Sequence, residues 1–412
     1  MVVSCGWLTG IAPTSAAPAS LGFQHHVSKA RRPAARTAVA ADDLLPNGLR
    51  AGAGAAQGRR ATALLGVTGL LAAARPRRAR AAESRLAAKL EREGGEGKIA
   101  LVTGASSGIG KATVEALARS GQYARIFLAG HDEAKIRAAM QEIEAQSRGG
   151  DVSKLEFLPL ELASLDSVRK AAQSFQDLGL PLHTLVCDAA VMAVPERRVT
   201  QDGFELQLEV NYLSHFLLVN LLLPELRAAG NPSDPARIIS VSSSAHFVKS
   251  PLGFGDTSDL NLSGGEGDSH AYYPWTAYGQ SKLAQVMFTY ELARRLKLRS
   301  FPVVANVLDP SFVDTELQRY LPAQAPSVAM KLLAKTPQQG AATPVLLATD
   351  SYSGRSSGLY WADSHTAESL GRGATPFPNK ELAVEGSTSY DERAWEALWK
   401  ESARLVALRD TI

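Results

Sequence analysis

The chain has 412 residues and an uneven charge: residues 1–82 hold eleven Lys or Arg against only Asp42 and Asp43, a net +9, while the whole is +3, which leaves −6 on residues 83–412. A mildly acidic body excludes a broad nucleic-acid-binding surface. Of the two cysteines, Cys5 lies in the basic segment, so Cys187 has no partner for an internal disulfide and the fold must rest on a packed core.

Residues 1–82 are rich in Ala, Arg and Ser and show no sustained periodicity, which is the composition of a cleavable organelle transit peptide without a fold of its own. Within them Arg59 and Arg60 precede the apolar run ATALLGVTGLLAAA (61–74), followed by Ala79-Arg80-Ala81. That run is too short to span a bilayer but suits a signal-peptide core. The twin arginine and the small-x-small site fit a second signal into a thylakoid lumen. A plain plastid or mitochondrial presequence is preferred, because the chemistry below needs a stromal or matrix coenzyme pool.

From Lys98 onward, β-rich apolar runs alternate with amphipathic segments. KIALVTG (98–104) predicts a strand, GIGKATVEALARSG (108–121) a helix, ARIFLAG (124–130) a strand, and the stretch from Asp132 a helix that Asp132 caps. KLEFLPLEL (154–162) and LHTLVCDAA (182–190) read as strands, with a capped helix, SLDSVRKAAQSFQDLG, between them. Residues 202–230 predict one long buried helix, and ARIISVSSS (236–244) a strand. A polar, Gly-rich stretch then leads to a helix containing WTAYGQSKLAQVMF (275–288), the strand VVANVLD (303–309), a helix in TPQQGAATPVLLATD, a short strand GLYWAD, and a closing helix, DERAWEALWKESARLVAL. The alternation predicts an α/β fold: a single Rossmann-type doubly wound parallel sheet with helices on both faces, after the leader. The expected boundaries are 96–365 for this domain and 366–412 for a C-terminal extension whose helix packs on it. Ligands of such sheets bind at the carboxyl edge, beside a topological switch point.

TGASSGIG (103–110) joins the first strand to the first helix. Its spacing Gly104-x3-Gly108-x-Gly110 lets the backbone turn tightly and approach a pyrophosphate, which the helix N-terminus then attracts. The cofactor cradle therefore comprises Thr103, Gly104, Ser106, Ser107, Gly108, Ile109 and Gly110. The second strand ends at Gly130-His131, where NAD sites place a carboxylate for the ribose hydroxyls. No acid stands there to repel a 2′-phosphate and His131 can donate to one, which favours NADP(H) over NAD(H).

Tyr278 and Lys282 lie one helical turn apart. A phenol with a reference pKa of about 10 is a poor base at neutral pH, and a cation one turn away is expected to lower it. The pair then moves a proton to or from a substrate oxygen while a hydride moves at the adjacent carbon. Lys282 is also expected to bond the cofactor ribose. A Tyr-x3-Lys pair alone is ordinarily a solvated helix start; VSSS at a strand end and Asn211 within an apolar helix single this one out. Ser244 and His246 lack the Gly-x-Ser-x-Gly elbow of a hydrolase, His215 reads as a satisfied core residue, and no His/Cys cluster has metal-ligand spacing, so no metal is expected.

TGASSGIG, CDAA, Asn211 in VNYLSHF, VSSSAH, YGQSK and DPSFVDT occur in the order seen in short-chain dehydrogenases/reductases, and over residues 96–365 the chain resembles that superfamily. LELASLDSVR, DGFELQLEVNYLSHFLL and RYLP resemble its retinol-dehydrogenase-like branch, which includes the plastid translocon-associated dehydrogenase; protochlorophyllide reductase is a near relative. The resemblance implies that Ser243 bonds the substrate oxygen, Tyr278 is the acid/base, Lys282 tunes it and Asn211 holds a relay water. It implies that Glu161 and Leu162 flank the adenine, that Asp188, Ala189 and Ala190 line the cofactor path, that Pro310 belongs to the cofactor site, and that Thr315 bonds the nicotinamide carboxamide. The chain departs from the family pattern at Asp188 (usually Asn), Glu161 (Asp), Ser311 (Gly), Asp309 (often His) and His131 (often Arg). With the leader, the resemblance points to a chloroplast, in the stroma or peripherally on a membrane, with the thylakoid lumen and the mitochondrion as alternatives.

Between Ser243 and Tyr278 lie 34 residues ending in Tyr272, Tyr273, Pro274 and Trp275, and residues 317–335 carry further apolar side chains. A loop of that length is functional or disordered. Together the segments suggest a bulky apolar alcohol or carbonyl substrate, against the alternative that they pack on the core or on another subunit. The rival function is a nucleotide-binding regulatory subunit of an organelle membrane complex. Failure to turn over any carbonyl while NADPH binds would favour it.

Overall fold

The computed structural model describes residues 97–146, 155–320, 334–366, 391–409 and 412. The leader, most of 317–335 and much of the C-terminal extension before its helix lie outside the described residues. The strands are β1 (Lys98–Thr103), β2 (Tyr123–Gly130), β3 (Leu155–Pro159), β4 (Thr184–Cys187), β5 (Ala236–Val241), β6 (Val303–Asp309), β7 (Tyr360–Ala362) and β8 (His365–Thr366). They form one sheet in the order β3-β2-β1-β4-β5-β6-β7-β8, parallel through β7, with β8 antiparallel at the edge. The strand order reverses between β1 and β4, and this is the switch point.

Helices α1 (Gly108–Arg119), α2 (Glu133–Gln146) and α8 (Ala342–Thr349) cover one face, where Val114, Leu117, Ile136 and Leu347 meet Val102, Leu128 and Val186 of the strands. The other face carries α3 (Leu165–Asp177), α4 (Leu206–Leu221), α6 (Pro274–Leu298) and α9 (Glu392–Leu405). Here Phe175, Phe216, Met287 and Leu398 meet Leu101, Phe127 and Leu185. Consecutive β1 residues thus feed opposite cores, which is why the strands read as continuous apolar runs rather than as alternation. Trp399 of α9 is buried against Phe216 and Phe288, with ring centroids 5.0 and 5.6 Å away. Each such side chain contributes about 1.5–3 kcal/mol by leaving water.

Two predicted helices are broken. The helix expected over 202–230 starts later, because Glu205 accepts from the Gln207 and Leu208 N–H groups at 3.0 and 2.8 Å and caps it. It then bends by 55° into α5 (Leu223–Ala229), where Pro224 cannot continue the ladder, and contains a π turn at Glu209–Leu213. The helix expected in 336–350 is split into α7 (Pro337–Gly340) and α8, since Pro344 has no N–H to give Gly340. The terminal hairpin strand β8 has no counterpart in the sequence reading. Cys187 is buried in β4 and its thiol is pushed up to about 12 by that burial, so it is an inert core residue.

Candidate active site

The glycine turn leaves β1 at its carboxyl end. Gly104 and Gly108 have φ of +68° and +55°. A Cβ on Gly104 would stand 2.8 Å from the Ala189 Cα, and one on Gly108 3.1 Å from the Thr315 Cγ2. The turn is therefore pinned between the end of β4 and the segment after β6, where only glycine fits. Ser107 precedes α1 without a side-chain cap bond, and the first turn of α1 carries no acid, so its N–H groups and positive end are offered to an anion. This cradle fits a dinucleotide pyrophosphate. Gly104, Ser106, Ser107, Gly108 and Ile109 line a cleft of about 740 Å³.

Two members of the expected cradle face elsewhere. Thr103 is fully buried; its hydroxyl accepts from the Asp188 and Ala189 N–H groups at 3.0 and 3.1 Å and lies 2.9 Å from the His215 Nε2. Gly110 is buried too, and a Cβ there would meet the Asp188 Oδ2 at 2.8 Å. Asp188 accepts the Gly110 N–H, so a carboxylate does here what needs only an acceptor. Burial pushes that carboxyl up to about 7 in spite of Lys282 and the Gly110 bond.

Ser243 follows β5, while Tyr278 and Lys282 project from the first turns of α6, and all three line the same cleft as the glycine turn. The Tyr278 hydroxyl is hydrogen-bonded to Ser243. The expectation that Lys282 lowers the Tyr278 phenol is corrected: burial raises it, the Ser243 bond opposes, and Asp309 and Asp188 raise it further. Lys282 donates instead to the Val241 carbonyl at 2.8 Å and to the Gln285 Oε1 at 3.0 Å, with its Nζ 5.7 Å from the Tyr278 ring centroid. Burial brings its ammonium down to about 8, against Asp188 and Asp309, which hold it up. Two of its three N–H groups are committed to protein, so one remains for a ligand.

Asn211 is not on the cleft. Its Oδ1 accepts from the Val191 N–H at 2.8 Å, and its Nδ2 donates to the Val191 carbonyl and the Ser281 Oγ, both at 2.9 Å. Both amide N–H groups are used by protein, so its side chain holds the backbone before the cleft rather than donating to a relay water.

The family model described as short chain dehydrogenase matches residues 98–254. Polyprenol dehydrogenase of Mus musculus is 41% identical over 313 residues, 75% of this chain and 84% of that protein. Retinol dehydrogenase 13 of Homo sapiens is 38% identical over 319 residues, 76% of this chain and 85% of its own length. A crystal structure of a protein from Mycobacterium paratuberculosis superposes with a TM-score of 0.53 at 29% identity, covering 75% of this chain and 93% of that one. The chain belongs to the short-chain dehydrogenase/reductase superfamily, in its retinol-dehydrogenase-like branch.

The far end of the cleft is lined by His131, Glu161 and Leu162, while Asp188, Ala189 and Ala190 line it after β4, between the glycine turn and Lys282. The second strand's end was expected to be free of acid, but the fold brings Glu161 to 3.7 Å from the His131 Nδ1. Lys135 also lines this end and was missed; it lies one helical turn beyond His131, a spacing that flags it. Pro310, Ser311 and Thr315 line the cleft from the β6 side. Ser311 sits at φ +65°, the left-handed conformation that its usual glycine adopts without strain. The remaining wall carries apolar side chains, Met192, Leu206, Val210, Val248, Trp275, Phe312 and Leu317, with the polar Glu316, Gln318 and Arg319 beside the last of them. Of the apolar residues, Trp275 and Leu317 were legible as candidates. The others come from segments distant in sequence and carry no local signal.

Proposed function

We propose that this chain is an NADP(H)-dependent oxidoreductase that interconverts an alcohol and a carbonyl on a bulky apolar substrate, with Tyr278 as acid/base. The observation that carries the reading is the Tyr278 hydroxyl, bonded to Ser243, on the wall of the cleft that also exposes the glycine turn. When bound, the nicotinamide supplies or takes the hydride. Ser243 holds the substrate oxygen, and Tyr278 gives its proton to that oxygen in carbonyl reduction or receives one in alcohol oxidation. Burial keeps the Tyr278 phenol protonated at rest, which loads it for the reductive direction. Lys282 would offer its uncommitted N–H to the coenzyme ribose, and Thr315 would bond the carboxamide.

The Lys135 cation and His131, a hydrogen-bond donor, both line the far end and support NADP(H), with Glu161 opposing them. The apolar wall, and relatives named for polyprenol and retinol, support a long or bulky apolar substrate. The plastid reading rests on residues 1–82 and on the resemblance to plastid members of the branch, and the animal relatives lend it no support; a fluorescent fusion of residues 1–82 tests it. The enzyme reading is tested by NADPH consumption with a panel of long-chain aldehydes. Wild type should turn over, and Tyr278→Phe should lose about 10²–10⁴-fold in kcat while retaining coenzyme binding. Coenzyme binding without turnover of any carbonyl would favour a regulatory nucleotide-binding subunit.

A further inference from the structure

His215 lies behind the cleft, buried in α4, and touches no expected ligand. Its Nδ1 is 3.0 Å from the Asn211 carbonyl oxygen and its Nε2 2.9 Å from the Thr103 Oγ1. A carbonyl oxygen only accepts, so Nδ1 carries the proton. Burial pushes the imidazole down to about 4, so the ring is neutral and Nε2 must accept. The proton it accepts is that of the Thr103 hydroxyl, whose two lone pairs then receive the Asp188 and Ala189 N–H groups at 3.0 and 3.1 Å. The ring nitrogen at 2.9 Å, nearer to the Thr103 Oγ1 than the Val186 carbonyl oxygen at 3.4 Å, thus sets the hydroxyl's orientation.

The set continues toward the reacting side. Asn211 sits in the π turn, where the Ser214 N–H reaches back to the Glu209 carbonyl. Its side chain brackets Val191 and donates to Ser281, whose hydroxyl donates to the Tyr278 carbonyl at 2.7 Å. A leucine at 215 would fill the same space but leave the Thr103 hydroxyl only the Val186 carbonyl oxygen at 3.4 Å, and leave the Asn211 carbonyl without this donor.

We propose that His215 is a positioning residue, a buried hub that ties the coenzyme wall at Thr103, Asp188 and Ala189 to the π turn at Asn211 and, through Ser281, to the start of the Tyr278 helix. Its reacting half rests on the oxidoreductase reading above; its coenzyme half does not.

The two ring nitrogens can be separated by substitution. His215→Asn keeps a donor near the Nδ1 position and cannot reach Thr103, whereas His215→Gln keeps an acceptor near the Nε2 position and loses the donor to Asn211. Coenzyme Kd by fluorescence titration and kcat with a long-chain aldehyde are measured for both variants, for His215→Leu and for wild type. His215→Asn should weaken coenzyme binding by about tenfold and change it more than kcat; His215→Gln should lower kcat by about tenfold and change it more than Kd; His215→Leu should lose both. Losses of equal size in Asn and Gln variants, or changes only in melting temperature, overturn the proposal. If wild type binds NADPH but reduces no carbonyl, the reaction reading has failed, while the Kd comparison still decides the coenzyme half. Nitrogen-15 NMR of the wild-type protein supplies a structural readout: a neutral ring protonated at Nδ1 from about pH 5 to 8 is expected, and a ring protonated at Nε2 or charged contradicts it.

Discussion

The two ends of the cleft are built differently. The coenzyme end is mostly backbone: glycines at positive φ are pressed against Ala189 and Thr315, and a helix N-terminus faces the opening. The opposite end is mostly side chain: Met192 follows β4, Val210 lies in the π turn, Trp275 opens α6 and Phe312 follows β6. Backbone built to close tolerance admits one ligand shape and no substitution. A wall of apolar side chains tolerates change in its members and sets how much apolar surface it covers.

The first way to break that contrast is at Gly104. Gly104→Val places a β-branched side chain at φ +68° and against the Ala189 backbone, neither of which can give. Coenzyme affinity should fall by about a hundredfold or more, and stability by about 1–3 kcal/mol, read by fluorescence titration and denaturant melts. Wild-type affinity in this variant would mean that the turn does not cradle the coenzyme.

At the other end, Trp275 stands edge-on to Tyr278 at 6.1 Å between ring centroids and remains partly exposed. Trp275→Ala should raise KM for a long-chain aldehyde about tenfold and change KM for a short one much less. Equal effects on both would make Trp275 a structural residue of α6.

A third test concerns the π turn that separates the two ends. Glu209 is buried there; its burial, opposed by Thr200 and reinforced by Asp202 and Glu161, pushes the carboxyl up to about 8. The folded chain therefore holds a proton that the unfolded chain releases in the ordinary carboxylate range, so stability should fall as pH rises from there to about 8. Denaturant melts of Glu209→Gln should show a shallower decline over that window, and an unchanged slope would place the pH dependence elsewhere. The smallest effect is expected at Ser311, where glycine would relieve about 1 kcal/mol of strain at φ +65° but forfeit the 3.1 Å bond from the Lys335 Nζ. A melt of Ser311→Gly reads the balance, with net stabilisation below that figure expected.

What the sequence made legible follows the same division. The glycine turn and the Tyr278–Lys282 spacing are local patterns, and so are the strands that carry them to one sheet edge. The inward face of Thr103 was not legible, because β1 is buried on both sides and its partner His215 is 112 residues away. Lys282 was legible as a cation beside a phenol, but its bonds to Val241 and Gln285 depend on how β5 meets α6. The break at Leu222 was signalled by Pro224, whereas the π turn follows from packing of Asn211 on Val191, which no periodicity records.

The most direct test of the central claim is a crystal structure with NADPH bound. The pyrophosphate is expected against the 104–109 turn, with the nicotinamide beside the Ser243 and Tyr278 hydroxyls. A coenzyme seated away from that turn, or a nicotinamide turned from Tyr278, would contradict it.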